Sequence, residues 1–343
     1  MNKYLRLTYF IIDRYIPPVY NLCPARGTDT GQIGTKMKKI YLAAAIITTA
    51  ILLVRPGQVA EAVKDAALFS VYRVIPALFC FMVLSKLIMS SDIVHTVYPA
   101  FKPLASVLHL SRDEFSAFVT GNLCGFPSGA YSVKQICKSR EYDECRRTSL
   151  AALSNNVSPG FAASFAGDVI LGSKAVGMLI YASQLISSLI ICSILRRNVK
   201  CENEINIAIC ERRNFAETFC KAVTDSSHAC VNLIGFIVMF SVVSLFVTSL
   251  LERFNAPDIL ISYIRSFLEI TGGCMSASSL PINHKVPIIA FSCGFSGLCV
   301  IFQSAPYLYG AGIKLSKYIL IKIIQGVLSA VFSVLIIKLA HIY

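Results

Sequence analysis

The sequence predicts an all-α, polytopic helical membrane protein made of two related halves with broken, re-entrant helices. Three observations predict it. Of 343 residues, 55% are hydrophobic and only 15% charged, against about a quarter charged in a soluble domain. The apolar residues come in blocks long enough to enter or cross a bilayer, with the charges gathered between them. Glycine and proline interrupt those blocks in both halves, where a membrane helix would otherwise run on.

In chain order, residues 1–36 read as a poorly structured extension containing Pro17-Pro18 and "PARGTDTGQIG". A first membrane half, 37–195, opens on "MKKIYLAAAIITTAILLV". Its apolar run 40–54 reads as a membrane helix, because no small-x-small cleavage site precedes Arg55-Pro56-Gly57. Apolar blocks follow at 66–90, 97–110, 115–133, 148–172 and 174–195. A basic linker, 196–222, separates this half from a second, 223–343, with blocks at 226–251, 257–271, 286–309 and 317–341.

The 32 Lys+Arg outnumber the 19 Asp+Glu by 13. The excess sits in short loops: Lys134, Lys138, Arg140, Arg146 and Arg147 in one, Arg196, Arg197, Lys200, Arg212, Arg213 and Lys221 in the linker. Such loops face the cytoplasm by the positive-inside rule, and no basic patch is interleaved with aromatics as nucleic-acid binding requires. The 13 cysteines form no C-x-x-C and lie mostly in apolar blocks, where Cys acts as a small hydrophobe. With no histidine at metal spacing and no Walker, Rossmann, G-x-S-x-G or H-E-x-x-H fingerprint in context, the sequence implies no cofactor, no metal site and no enzyme.

Two short echoes suggest duplication. "AVKDAALFSVYRV" from Ala62 resembles "AVTDSSHACVNLI" from Ala222, and "LCGFPSG" (123–129) resembles "SCGFSGL" (292–298). Duplicated membrane halves build a substrate site between them from interrupted helices, near the bilayer midplane.

The first interruption is "GNLCGFPSGAY" (121–131). Irregular backbone at membrane depth survives only where it is buried or lines a cavity. Pro127 suits the start of a new half-helix, whose free amides at Ser128, Gly129 and Ala130 would face an anion. Gly125 and Gly129 allow close approach, Asn122 and Ser128 add hydrogen bonds, and Lys134 lends charge. The spacing of Gly121, Gly125 and Gly129 equally describes a helix-packing face. In "LSNNVSPGF" (153–161), Asn155 and Asn156 either line a path or bond between helices. In the second half, Glu269 precedes Thr271 and Gly272-Gly273, either as an ion-coupling carboxylate or as an interfacial helix end. Ser296, Gly297 and Gln303 complete the candidates.

Together, "VIPALFCFMVLSKLI", "GNLCGFPSGAYSVKQICKS", "LSNNVSPGFAASFAG" and "LEITGG" resemble the YlbJ-type sporulation integral membrane proteins of the nucleoside-recognition (gate) domain family. The resemblance runs from about Met37 to the C-terminus. It implies two gate-domain repeats and a transporter moving a small anionic substrate, dipicolinic acid, from mother cell to forespore across the outer forespore membrane. Partners would be that substrate and the lipid bilayer, with a homodimer or other sporulation membrane proteins left open. The chain departs from the family at Tyr131, at "NNVSPGF", and at Ser296 and Ile301. A nucleoside or purine carrier and a non-transporting membrane scaffold are the alternatives.

Overall fold

The computed structural model describes residues 55–90, 93–140, 142–196 and 214–339, with Thr49 and Leu53 besides. The expected extension 1–36, almost all of the run 40–54 and most of the linker lie outside the described residues. The helices from residue 57 onward belong to one unit, Gly57–Tyr343.

The described residues are helical and without strands. Five stretches are long and apolar enough to cross a membrane: Pro56–Ile88, Lys174–Leu195, Phe215–Arg253, Ile282–Gly310 and Leu315–Leu339. The first comprises α1 (Pro56–Phe69), a π-turn (Ser70–Val74) and most of α2 (Ile75–Ser90). The amphipathic α3 (Ile93–Val107) follows, with Pro99 and Pro103 inside it.

The next pair, α4 (Arg112–Cys124) and α5 (Ser128–Ser139), folds back on itself. A Cβ built on Gly121 would stand 2.9 Å from the Gly129 Cα, whereas eight residues of continuous helix span about 12 Å. The block expected at 115–133 is therefore a re-entrant hairpin, not a crossing. Its start is fixed by a capping box: Glu114 N–H donates to the Ser111 hydroxyl, and Ser111 N–H to the Glu114 carboxylate at 2.8 Å. Its tip is Gly125-Phe126-Pro127, with Gly125 at φ 74.

Then comes a discontinuous helix: α6 (Glu144–Ser154), an open stretch at Asn155–Ser158, and a π-helix (Phe161–Leu171). The return helix α7 (Lys174–Leu195) measures it like a ruler. Gly177 lies against Gly167, Gln184 against Val157, and Arg196 against Ser149. The two pieces are thus one rod with a gap.

The second half repeats this order. A long helix α8 (Phe215–Arg253) precedes a hairpin of α9 (Asp258–Leu268) and α10 (Ile270–Ala277). There the Ser262 and Ser276 hydroxyls meet at 2.9 Å, and Gly273 packs on the Ser266 backbone. The block expected at 257–271 is accordingly half of a hairpin. A discontinuous helix follows, α11 (Ile282–Phe295) and α12 (Gly297–Gly310), then the return helix α13 (Leu315–Leu339).

The two discontinuous helices run in opposite directions. Glu144, which opens α6, lies 2.8 Å from Lys317 in the first turn of α13, and Arg147 donates to the Ala311 carbonyl just after α12. One discontinuous helix begins on the basic-loop side, and the other ends there.

Two expectations need correction. The Asp65 and Asp225 echo falls on the long helices that open each half. The second echo pairs unlike places, because Cys124 ends the first arm of a hairpin while Cys293 lies inside the second discontinuous helix. Short glycine stretches report a local need for broken backbone, which both places share. The linker is also shorter than 196–222. Residues 215–222 belong to α8, capped by Asn214, and Arg196 is fully buried.

Arg196 and Arg146 converge on Glu114, with Arg196 Nη2 to Oε1 at 2.6 Å and Arg146 Nε to Oε1 at 2.9 Å. Burial pushes the Glu114 carboxyl up, but the two guanidinium groups outweigh it and bring it down to about 2.

Candidate functional site

In each half the hairpin tip leans on the gap of the helix that follows it. A Cβ on Gly125 would stand 3.1 Å from the Ser158 Cβ, and one on Gly297 3.1 Å from the Ile270 nitrogen and 3.3 Å from the Glu269 Cα. Gly297 (φ 72) and Ser296 (φ 76) adopt left-handed backbone to make the second gap.

The two tips meet at one cavity of about 40 Å³. Gly125, Phe126 and Pro127 come from the first tip, and Ile270 and Thr271 from the second. Ser158 and Gln303 come from the discontinuous helices, and Leu78, Met82 and Leu233 close the apolar side. The volume suits a few waters and falls short of a metabolite pocket. Gln303 Oε1 is buried with no hydrogen-bond partner.

Beside the cavity runs a buried polar network. Asn122 Nδ2 donates to the carbonyls of Phe118 (2.8 Å) and Leu153 (3.0 Å). Asn156 Nδ2 donates to the Leu153 carbonyl at 2.8 Å and to Asn122 Oδ1 at 3.3 Å. Asn155 Nδ2 reaches the Ser304 and Tyr318 hydroxyls. Gln184 satisfies both backbone groups of Val157 at 3.4 Å, and the Tyr181 hydroxyl donates to the Asn122 carbonyl. The Leu153 carbonyl and both backbone groups of Val157, freed by the gap, are thus answered by side chains, as an apolar medium demands.

The structure brings Gly125, Pro127, Thr271 and Gln303 onto the cavity, with Asn122 and Asn156 bonded just behind it. It disposes of the others differently. The Ser128 amide, expected free for an anion, donates to the Gly125 carbonyl at 3.0 Å. Gly129 faces the Ser154–Asn155 backbone, with the Asn155 Cα 2.9 Å from a built Cβ, so protein covers the start of α5. Lys134 lies over the Tyr307 ring, 5.6 Å from its centroid, and against Gly310. Glu269 caps α10, accepting from the Thr271 amide (2.8 Å) and hydroxyl (2.6 Å) and the Gly272 amide. The buried Ser296 hydroxyl has no partner.

Sequence reasoning missed Lys322. It is fully buried in α13, and its ammonium donates to Gln325 Oε1 (2.9 Å), Asn156 Oδ1 (3.1 Å) and the Asn155 carbonyl (3.4 Å). Gln325 Nε2 donates in turn to Asn156 Oδ1 at 2.7 Å. A signal was available, since a charge inside the apolar run "YILIKIIQGV" marks a functional position by default.

With this geometry in place, comparison adds a relative. The chain is 23% identical over 330 residues to the sporulation integral membrane protein YlbJ of Bacillus subtilis (strain 168), covering 85% of this chain and 81% of that protein. The chain is similar to that protein along most of its length. The similarity extends over most of the chain rather than one motif, and with the five apolar helices it supports an integral membrane protein. No protein-family model matches the chain, and no solved structure does.

Proposed function

We propose that the chain is a sporulation membrane transporter for a small anionic metabolite, dipicolinate, working in the outer forespore membrane. The observation that carries transport is the meeting of two re-entrant hairpin tips, from inverted halves, at one buried cavity. Inverted repeats with discontinuous helices are how membrane carriers place a substrate near the midplane and open it to either side in turn. Similarity to a sporulation membrane protein supports the setting. Lys322, buried with no carboxylate against it among the described residues, supports an anionic cargo.

The test is uptake of labelled dipicolinate into liposomes holding the purified protein, with Asn156→Ala beside it. Uptake that the variant loses supports the reading; none under proton or sodium gradients sinks it. A second reading has its own observation: no side chain lining the cavity is charged. Gln303, Thr271 and Ser158 offer neutral hydrogen bonds between Phe126 and Phe161, as a nucleoside or purine would need. Competition by uridine or adenosine, without dipicolinate uptake, favours that reading.

A further inference from the structure

We propose that the Lys322 ammonium occupies, as a tethered cation, the position that a soluble coupling cation fills in carriers built on discontinuous helices. In such carriers the unwound carbonyls and the C-terminal ends of half-helices coordinate sodium. Here Asn155 is the C-cap of α6 and starts the gap. Its carbonyl, the Asn156 side-chain oxygen and Gln325 Oε1 surround one point, and Lys322 Nζ sits there.

The chemistry of the cluster suits the charged form. An ammonium has three donors and no acceptor, and the three contacts are all to carbonyl-type oxygens. The negative end of the α6 dipole favours a cation beside the Asn155 carbonyl that caps that helix. No carboxylate pairs with Lys322 among the described residues. The buried carboxylate of Glu269 is engaged instead with the N-terminus of α10. The half-helix end and neutral oxygens therefore hold the cation by themselves, as they would hold a metal ion. Because Lys322 is anchored to α13, the site is filled in every copy of the protein, without sodium.

This inference rests on the transport reading for its consequence, sodium-independent movement of cargo, but its test reads stability alone. The full-length protein in detergent is melted in potassium chloride and in sodium chloride, alongside Lys322→Met and Gln325→Glu. Lys322→Met, which keeps the bulk and removes the charge, lowers the melting temperature by taking the donor from the buried Asn155 carbonyl and Gln325 Oε1. Gln325→Glu puts a carboxylate at the acceptor 2.9 Å from Nζ and keeps or raises it, because a charged partner awaits the new anion. Sodium in place of potassium leaves the wild type unmoved. A fall in Gln325→Glu as large as in Lys322→Met would show an uncharged amine and overturn the proposal. Sodium-specific stabilisation of the wild type would overturn it equally, and neither result would touch dipicolinate uptake.

Discussion

Arg196 Nη2 donates to Glu114 Oε1 at 2.6 Å, joining the end of α7 to the first turn of α4 across 82 residues. Both side chains are fully buried, so this pair and Arg146 clamp the basic-loop side of the first half. With the Glu114 carboxyl at about 2 when folded and near 4.5 when unfolded, its contribution to stability is complete above pH about 4.5. It fades as pH falls toward 2. Melting in detergent against pH shows this loss, and Glu114→Gln flattens it. At pH 7 Glu114→Gln costs about 3–5 kcal/mol, because two guanidinium groups lose their buried partner.

Glycines separate by what surrounds them. A Cβ on Gly121 would strike the Ser154 carbonyl and stand 2.9 Å from the Gly129 Cα, while one on Gly235 in α8 meets nothing within 4 Å. Gly121→Ala therefore costs about 3 kcal/mol by forcing the hairpin open. Gly235→Ala stabilises α8 by about 1 kcal/mol. Melting temperatures of the two variants, moving in opposite directions, check the pair.

Gln303 offers a separation of function from folding. Its Oε1 has no partner in the closed cavity, so Gln303→Met removes an unsatisfied polar group and leaves the melting temperature unchanged or higher. Uptake of the cargo falls at least about tenfold, the equivalent of one lost hydrogen bond in a buried site. A variant that melts lower and carries normally would remove Gln303 from the site.

Glu269 is a helix cap before it is anything else. Glu269→Ala leaves the Thr271 and Gly272 amides without their acceptor and costs about 1–2 kcal/mol. Glu269→Gln, which keeps an acceptor oxygen, costs less. Chemical denaturation in detergent ranks the two.

The inverted halves predict sidedness. Ser279, in the turn between α10 and α11, and Lys314, before α13, lie at opposite ends of the second discontinuous helix. Ser279→Cys and Lys314→Cys, in a background without the exposed Cys80, Cys145 and Cys220 and without Cys23, Cys201 and Cys210, are labelled by an impermeant maleimide from opposite faces of the membrane. Labelling of both from one face would rule out the inversion.

The sequence made the class of fold plain because bilayer chemistry writes itself into composition and block length. It also located both gaps and the first tip, since Pro127, the Asn155-Asn156 pair and Gly297 are residues that continuous membrane helices avoid or must answer. Three things were hidden. A hairpin and a crossing of about 20 residues have the same apolar content, so the break at Pro127 did not show that the arms of 115–133 fold back on each other, nor that 257–271 is one arm of a hairpin, until Gly121 met Gly129 and Ser262 met Ser276. The amide of Ser128 had a neighbour in its own turn, which no pattern of residue types reveals. Lys322 stood in plain view, but its partners Asn155 and Asn156 lie 167 and 166 residues away, and only folding brings them together.

The two tip contacts carry a mechanical meaning. Gly125 meets Ser158, and Gly297 meets the Glu269–Ile270 backbone, through close packing rather than through ion pairs. Dispersion contacts of this kind are individually small and are lost over a fraction of an ångström. Each tip also rests on the rod of its own half, and both pack on one shared apolar core that includes Phe161 and Ile270. The two tips therefore wall a single small space from two sides, held there by shape rather than by charge, so a change in salt or pH would leave both seats as they are.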